Sequence, residues 1–204
     1  MLNVRRPARG FTLIELMVSL VLALVVMAAV VTLVVAVIRS NRQTLQSTRL
    51  NQELRATLNL VANDLRRARS INDPLSAAVG PNPYANIQTP NGNTCAIYGY
   101  DGMHGARTWH VLRVDNNGRL GLRSISDATP PANCGDGTFA QLSSNQVDIR
   151  TITFQRVPAN APDDFVRQID VTITGRLADT NPSAPPIERT MRQTVYVRSV
   201  GTGI

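Results

Sequence analysis

The residues with the clearest chemical potential sit at the start of the chain. Glu15 is an acid set just inside an apolar run, and Gly10 and Phe11 lie one helical turn before it. An ionised carboxylate on a membrane helix costs on the order of 2.5 to 3.5 kcal/mol at the bilayer centre and less towards the edge. No basic side chain within the segment can act as its counter-ion. A cut after Gly10 would create one, because Phe11 would gain a free α-amine about one turn from Glu15. That amine could pair with its own Glu15 or with that of a neighbouring, staggered helix, which would fix the register of assembly. The alternative is an edge acid that reaches the headgroups.

The second reactive pair is Cys95 and Cys134. Two cysteines in an exported domain suggest a disulfide, although spacing does not say whether they meet. Two unpaired buried thiols are the other reading. Catalysis finds little support: His104, His110 and Asp101 fall in one short stretch, but no nucleophile elbow, zinc spacing or phosphate loop accompanies them. His110 alternates with apolar neighbours in a strand-like run and reads as structural or solvated. Asp115-Asn116-Asn117-Gly118 lacks the further carboxylates of a calcium loop. The sequence therefore predicts no enzyme, no metal and no cofactor.

The elements that must position these residues follow from periodicity. Leu16 to Ile38 carries no charge, and Ser19 and Thr32 are its only polar members. That length crosses a hydrocarbon core of about 30 Å as a helix. It exceeds the roughly 7 to 15 apolar residues of a cleaved signal sequence, although Ala28-Ala29 offers small residues. No Pro or Gly interrupts the chain between Phe11 and Pro74, so one helix is expected over 11–70, with the transmembrane part at 16–38. Its second half is amphipathic: Leu50, Leu54, Leu58, Val61, Leu65 and Ala68 share a stripe suited to packing on the chain's own domain.

Beyond residue 70, Pro, Asn and Gly mark loops. Strand-like runs then follow at 95–100, 107–115, 119–123, 146–157, 165–177 and 188–200. Asp115 to Gly118 reads as a hairpin turn. The class expected is α+β, a long N-terminal helix followed by an antiparallel β-sheet domain over 71–204.

All 21 basic residues are arginine. Residues 1–10 carry +3 and residues 39–70 carry +5, whereas 71–204 are neutral, with eleven arginines and eleven acids. The excess thus lies on a leader and beside a membrane segment rather than on the folded domain, and a nucleic-acid partner is not favoured. Arginines flank the apolar run on both sides, which leaves the positive-inside rule nearly balanced. A disulfide would put the domain outside the cytoplasm and the N-terminus inside.

"ARGFTLIELMVSL" at 8–20 resembles the leader and processing site of type IV prepilins. The resemblance implies a leader of residues 1–10 removed by prepilin peptidase after Gly10, N-methylation of Phe11, and an assembly role for Glu15 at the fifth mature position. It also implies a single-pass, N-in precursor in the inner membrane with a periplasmic domain, later incorporated into an extracellular pilus beside other pilin subunits. "NQELRATLNLVANDLRRA" at 51–68, with Asp64-Leu65-Arg66, and "RTMRQTVYVRS" near the C-terminus look like the helical segment and final strand of PilW-like minor pilins. The helix has no Pro and 70 residues follow Cys134, unlike common major pilins. A minor pilin that enters the filament or primes its assembly is the function these features imply. A J-type pseudopilin of type II secretion, and an adhesin or DNA-uptake pilin, are the alternatives.

Overall fold

The computed structural model describes residues 10–73, 80–102, 107–135, 137–178 and 187–197. The chain forms two compact units, Met1–Leu45 and Gln46–Ile204. A helix, α1, runs over Leu13–Arg66. It is slightly shorter than the span expected, because Thr12 caps its start and a turn with left-handed backbone closes its end.

In the first unit the apolar side chains of α1 are exposed, and the helix is long and apolar enough to cross a membrane. The two hydroxyls of its apolar run over 16–38 are satisfied within the helix: Ser19 donates to the Leu16 carbonyl at 2.9 Å and Thr32 to the Ala29 carbonyl at 2.8 Å. Neither therefore leaves an unmatched polar group on a surface suited to lipid.

In the second unit α1 is one-sided. Leu50, Leu54, Val61, Leu65 and Ala68 are fully buried and Leu58 nearly so, as the stripe predicts. Thr57 and Ala62 widen it, the Thr57 hydroxyl being tied back to the Glu53 carbonyl at 2.9 Å. Burying each large aliphatic side chain is worth roughly 1.5 to 3 kcal/mol, so this face supplies the main attraction between helix and sheets.

Seven strands follow among the described residues: β1 Cys95–Asp101, β2 Arg107–Val114, β3 Leu120–Ser126, β4 Ala140–Gln141, β5 Val147–Val157, β6 Gln168–Leu177 and β7 Glu188–Tyr196. The α+β class holds, but the expected sheet is two antiparallel sheets, ordered β1-β2-β3-β4 and β5-β6-β7. The short β4 is an addition. β6 begins three residues later than its apolar run, since Phe165 closes a turn onto the Pro162 carbonyl at 3.0 Å. The stripe of α1 packs in one core with residues of both sheets, among them Ala96, Tyr98 and Leu112 from the first and Phe154, Ile169, Val171 and Val195 from the second.

Two local devices keep the sheets in place. The turn at Asp115 forms as expected: Asp115 Oδ1 accepts from the Asn117 and Arg119 amides, and Gly118 takes φ 70°. The Gly118 carbonyl then accepts from the Ile149 amide at 2.9 Å, joining the β2–β3 turn to β5. In β5 the register slips between Ile149 and Thr151. That bulge resets the alternation, so Val147 and Ile149 before it and Ile152 and Phe154 after it all reach the same core.

The opposite face of the first sheet is also covered. Tyr84, Cys95, Ile97, Trp109, Val111 and Cys134 form a second core, with Tyr84 edge-on to Trp109 at 5.4 Å. Tyr84 lies against Gly99, where a Cβ would come within 2.3 Å of its ring. Cys95 and Cys134 are bridged across 39 residues.

Closing a loop of that size stabilises by about 4 kcal/mol in the chain-entropy picture. The double change Cys95→Ser and Cys134→Ser is expected to lower unfolding free energy by about 2 to 4 kcal/mol in urea denaturation of the detergent-solubilised chain. A loss below about 0.5 kcal/mol would mean that the second core holds the loop without the bridge.

Acid should act through Asp170 on β6. Its carboxylate accepts from Thr194 at 2.6 Å and from Arg192, and these bonds, in that order, hold its pKa below the ordinary 3.8. The stabilisation is present above that ordinary value and is lost as pH falls through the depressed folded value. Asp170→Asn should therefore flatten the acid limb of the stability–pH curve, whereas an unchanged limb would assign acid sensitivity to other carboxylates.

Candidate functional site

The site foreseen at the N-terminus occupies the approach to α1 and its first turn. Gly10, Phe11 and Thr12 precede the helix, which starts at Leu13. Phe11 is 84% exposed, and no atom lies within 4 Å of where a Cβ on Gly10 would stand. Neither residue is packed into the fold.

Thr12 is the residue that sequence reasoning passed over. Its Oγ1 accepts from the Glu15 amide at 3.4 Å, satisfying one of the donors that a helix leaves unpaired at its start. Thr12-Leu13-Ile14-Glu15 has the spacing of a capping box, so the signal was present in the sequence. Glu15 stands in the first turn, where a negative charge is favoured by the helix dipole by about 0.3 to 1 kcal/mol. An α-amine created at Phe11 would place a positive charge at that same positive pole. Glu15 is the nearby group able to offset both.

Cys95 and Cys134, the other pair singled out, lie in the second unit as a disulfide at the edge of the second core. His104 lies outside the described residues. His110 is buried: its ring stacks on Tyr100 at 4.0 Å, its Nδ1 lies 3.1 Å from the Ser124 hydroxyl, and desolvation lowers its pKa. Asp101 accepts from the Tyr84 hydroxyl at 2.8 Å and the Asn72 amide at 2.9 Å. Both residues are structural, and among the described residues no cluster of three His, Cys, Asp or Glu could hold a metal ion.

Asp64-Leu65-Arg66 receives a physical explanation. Asp64 accepts from the hydroxyls of Tyr98 and Tyr100, both on β1, with the Tyr100 bond at 2.7 Å. Burial first, and then the bonded carboxylate, raise the pKa of Tyr100 and keep its hydroxyl protonated as a donor. The Arg67 guanidinium lies over the Tyr100 ring at 4.4 Å. Leu65 is fully buried, and exposed Arg66 bonds back to Asn63 at 2.9 Å. This segment is a docking point of helix on sheet, not a reactive centre.

Arg69 ends the helix. Its backbone is left-handed, φ 68°, and its amide donates to the Gly99 carbonyl at 2.8 Å. Its guanidinium donates to the carbonyls of Ala85, Val166 and Asp163 at 2.6, 2.6 and 2.8 Å. One side chain thereby ties two loops to the end of α1. Burial lowers its pKa from the ordinary arginine value.

Comparison with known families places these features. The model of a family described as prepilin peptidase-dependent protein B matches residues 43–197, which take in the amphipathic part of α1 and both sheets. The model of the prokaryotic N-terminal methylation motif matches residues 5–31, which include Gly10, Phe11, Thr12 and Glu15. No curated protein and no solved structure matches the chain. The first match spans well over half of the sequence and the second covers the approach to the helix and its first turns, so the chain belongs to the prepilin peptidase-dependent protein B family and is a type IV prepilin-like protein.

Proposed function

We propose that the chain is a minor pilin of the PilW-like kind, a structural subunit and not an enzyme. The observation that carries this reading is the direct passage from the methylation-motif residues into a helix segment whose apolar side chains are exposed all round. Such a surface suits lipid first and the helices of other subunits afterwards. Prepilin peptidase removes residues 1–10 on the cytoplasmic side of the inner membrane, and the Phe11 amine becomes methylated. The sheet domain of residues 71–204 faces the periplasm. During assembly, lipid around residues 12–38 is exchanged for neighbouring helices, and the domain comes to lie on the surface or tip of the filament.

Within this mechanism Glu15 compensates the Phe11 amine of its own or an adjacent subunit. A carboxylate without that partner in a low-dielectric bundle is costly, so only a register that pairs them is stable. Thr12 contributes only to the start of its own helix.

The reading is tested on sheared surface filaments by mass spectrometry. A peptide beginning at methylated Phe11 is expected there, in small amount relative to the principal pilin. Its confinement to the inner membrane would instead favour a secretion pseudopilin or a component that primes assembly.

Glu15→Ala and Thr12→Val separate the two roles at the first turn. Glu15→Ala should leave membrane insertion and processing intact yet reduce recovery in filaments severalfold, while Thr12→Val should leave recovery close to that of the parent chain. Equal recovery of both variants and the parent would reduce Glu15 to a capping acid.

A further inference from the structure

A cavity of about 310 Å³ opens beside the disulfide, between the end of β2 and the bulge of β5. Two arginines line it, one from each sheet. Arg113, on β2, has its guanidinium stacked over the Phe139 ring at 4.4 Å. Phe139 in turn lies on Gly121, where a Cβ would come within 2.8 Å of it. This stack fixes the planar fork, while the Arg113 Nε is buried with no hydrogen-bond partner among the described residues. A buried donor of that kind is costly unless something accepts from it.

Arg150 comes from the bulge itself. A bulge redirects the side chain it displaces, and here Arg150 lines the cavity together with Thr151 and Ile152. Its acidic neighbour, Asp148, lies 3.5 Å away but bonds more closely to Arg176, at 2.9 Å. One carboxylate thus serves two guanidinium groups, which leaves positive charge at the cavity. The one acid among the described residues of the lining, Asp115, already receives two amides of its own turn through Oδ1.

The remaining wall is mixed. Half-buried Val114 provides apolar surface, the buried Ile152 and disulfide lying behind it, and Asn91 and Thr94 bring an amide and a hydroxyl. The volume is at the small end of the range for small-molecule sites. Two guanidinium groups in one lining suit a carboxylate, and an apolar face beside amide and hydroxyl groups suits a sugar ring better than a bare inorganic ion.

We infer that this cavity binds a sugar acid, with its carboxylate between Arg113 and Arg150 and its ring against Val114, within reach of Asn91 and Thr94. The pilin fold would then carry a recognition site for acidic saccharides in its sheet domain, apart from any assembly contact of the N-terminal helix.

The test uses the full chain in detergent, with D-galacturonate as probe and D-galactose as the neutral control, followed by saturation-transfer NMR and calorimetry. Saturable binding of galacturonate is expected, without binding of galactose. Arg150→Gln should weaken it about tenfold, the loss of one charge-assisted contact. Arg113→Lys, which keeps the charge and loses the fork, should weaken it by a similar factor. Arg150 is largely exposed, so its variant remains informative even if changes at Arg113 disturb folding. Absence of saturable binding, equal binding of galactose, or parental affinity in Arg150→Gln would each overturn the proposal.

Discussion

The arrangement of the second unit depends on a single stripe of aliphatic side chains. Among the described residues no strand of one sheet pairs with a strand of the other, so the two sheets do not form a continuous hydrogen-bonded layer. They share instead the buried face of α1 from Leu50 to Leu65, together with the bond between the Ile149 amide and the Gly118 carbonyl. The helix is therefore the floor on which both sheets rest. Polar substitution along that face would remove the common core and not merely loosen one contact.

Polar interactions then fix where on that floor each sheet sits. Apolar contact is non-directional and would tolerate sliding along the stripe. Asp64 receives two tyrosine hydroxyls from β1, and Arg69 bonds to loop carbonyls at 85, 163 and 166, and both have defined geometry. The first sets the position of the four-stranded sheet. The second draws in the loops that lead into β1 and β6. Both residues lie within the last stretch of the helix and just beyond it, which makes that end the reference point for the domain.

The parts legible in the sequence were those encoded by local pattern. The 3.6-residue spacing of Leu50 to Ala68 marked the buried face, alternating residues marked the strands, and Asp115 to Gly118 marked the turn. The processing segment was legible for a related reason: a peptidase reads a short linear stretch, so its signal has to be local. Partnerships across the chain were not visible. The tyrosines that Asp64 meets are 34 and 36 residues away, and two of the carbonyls that Arg69 holds are 94 and 97 away. The division into two sheets escaped notice because strand runs do not announce their partners. The bulge at Arg150 and the cap at Thr12 were readable, the first as a slip in alternation and the second as a Thr-x-x-Glu spacing.

The uninterrupted run of α1 from Leu13 to Arg66 has a mechanical consequence. Within the second unit, tension along the Leu50 to Leu65 stretch of the helix loads its packing on the sheets as shear, so those contacts share the load in parallel instead of giving way one after another as they would under peeling. Within the domain, the Cys95–Cys134 bridge closes the segment holding β1, β2 and β3 into a covalent ring. A force that did detach the helix could therefore lengthen the chain only outside that ring, and β1, β2 and β3 would stay linked after β4 had been drawn away.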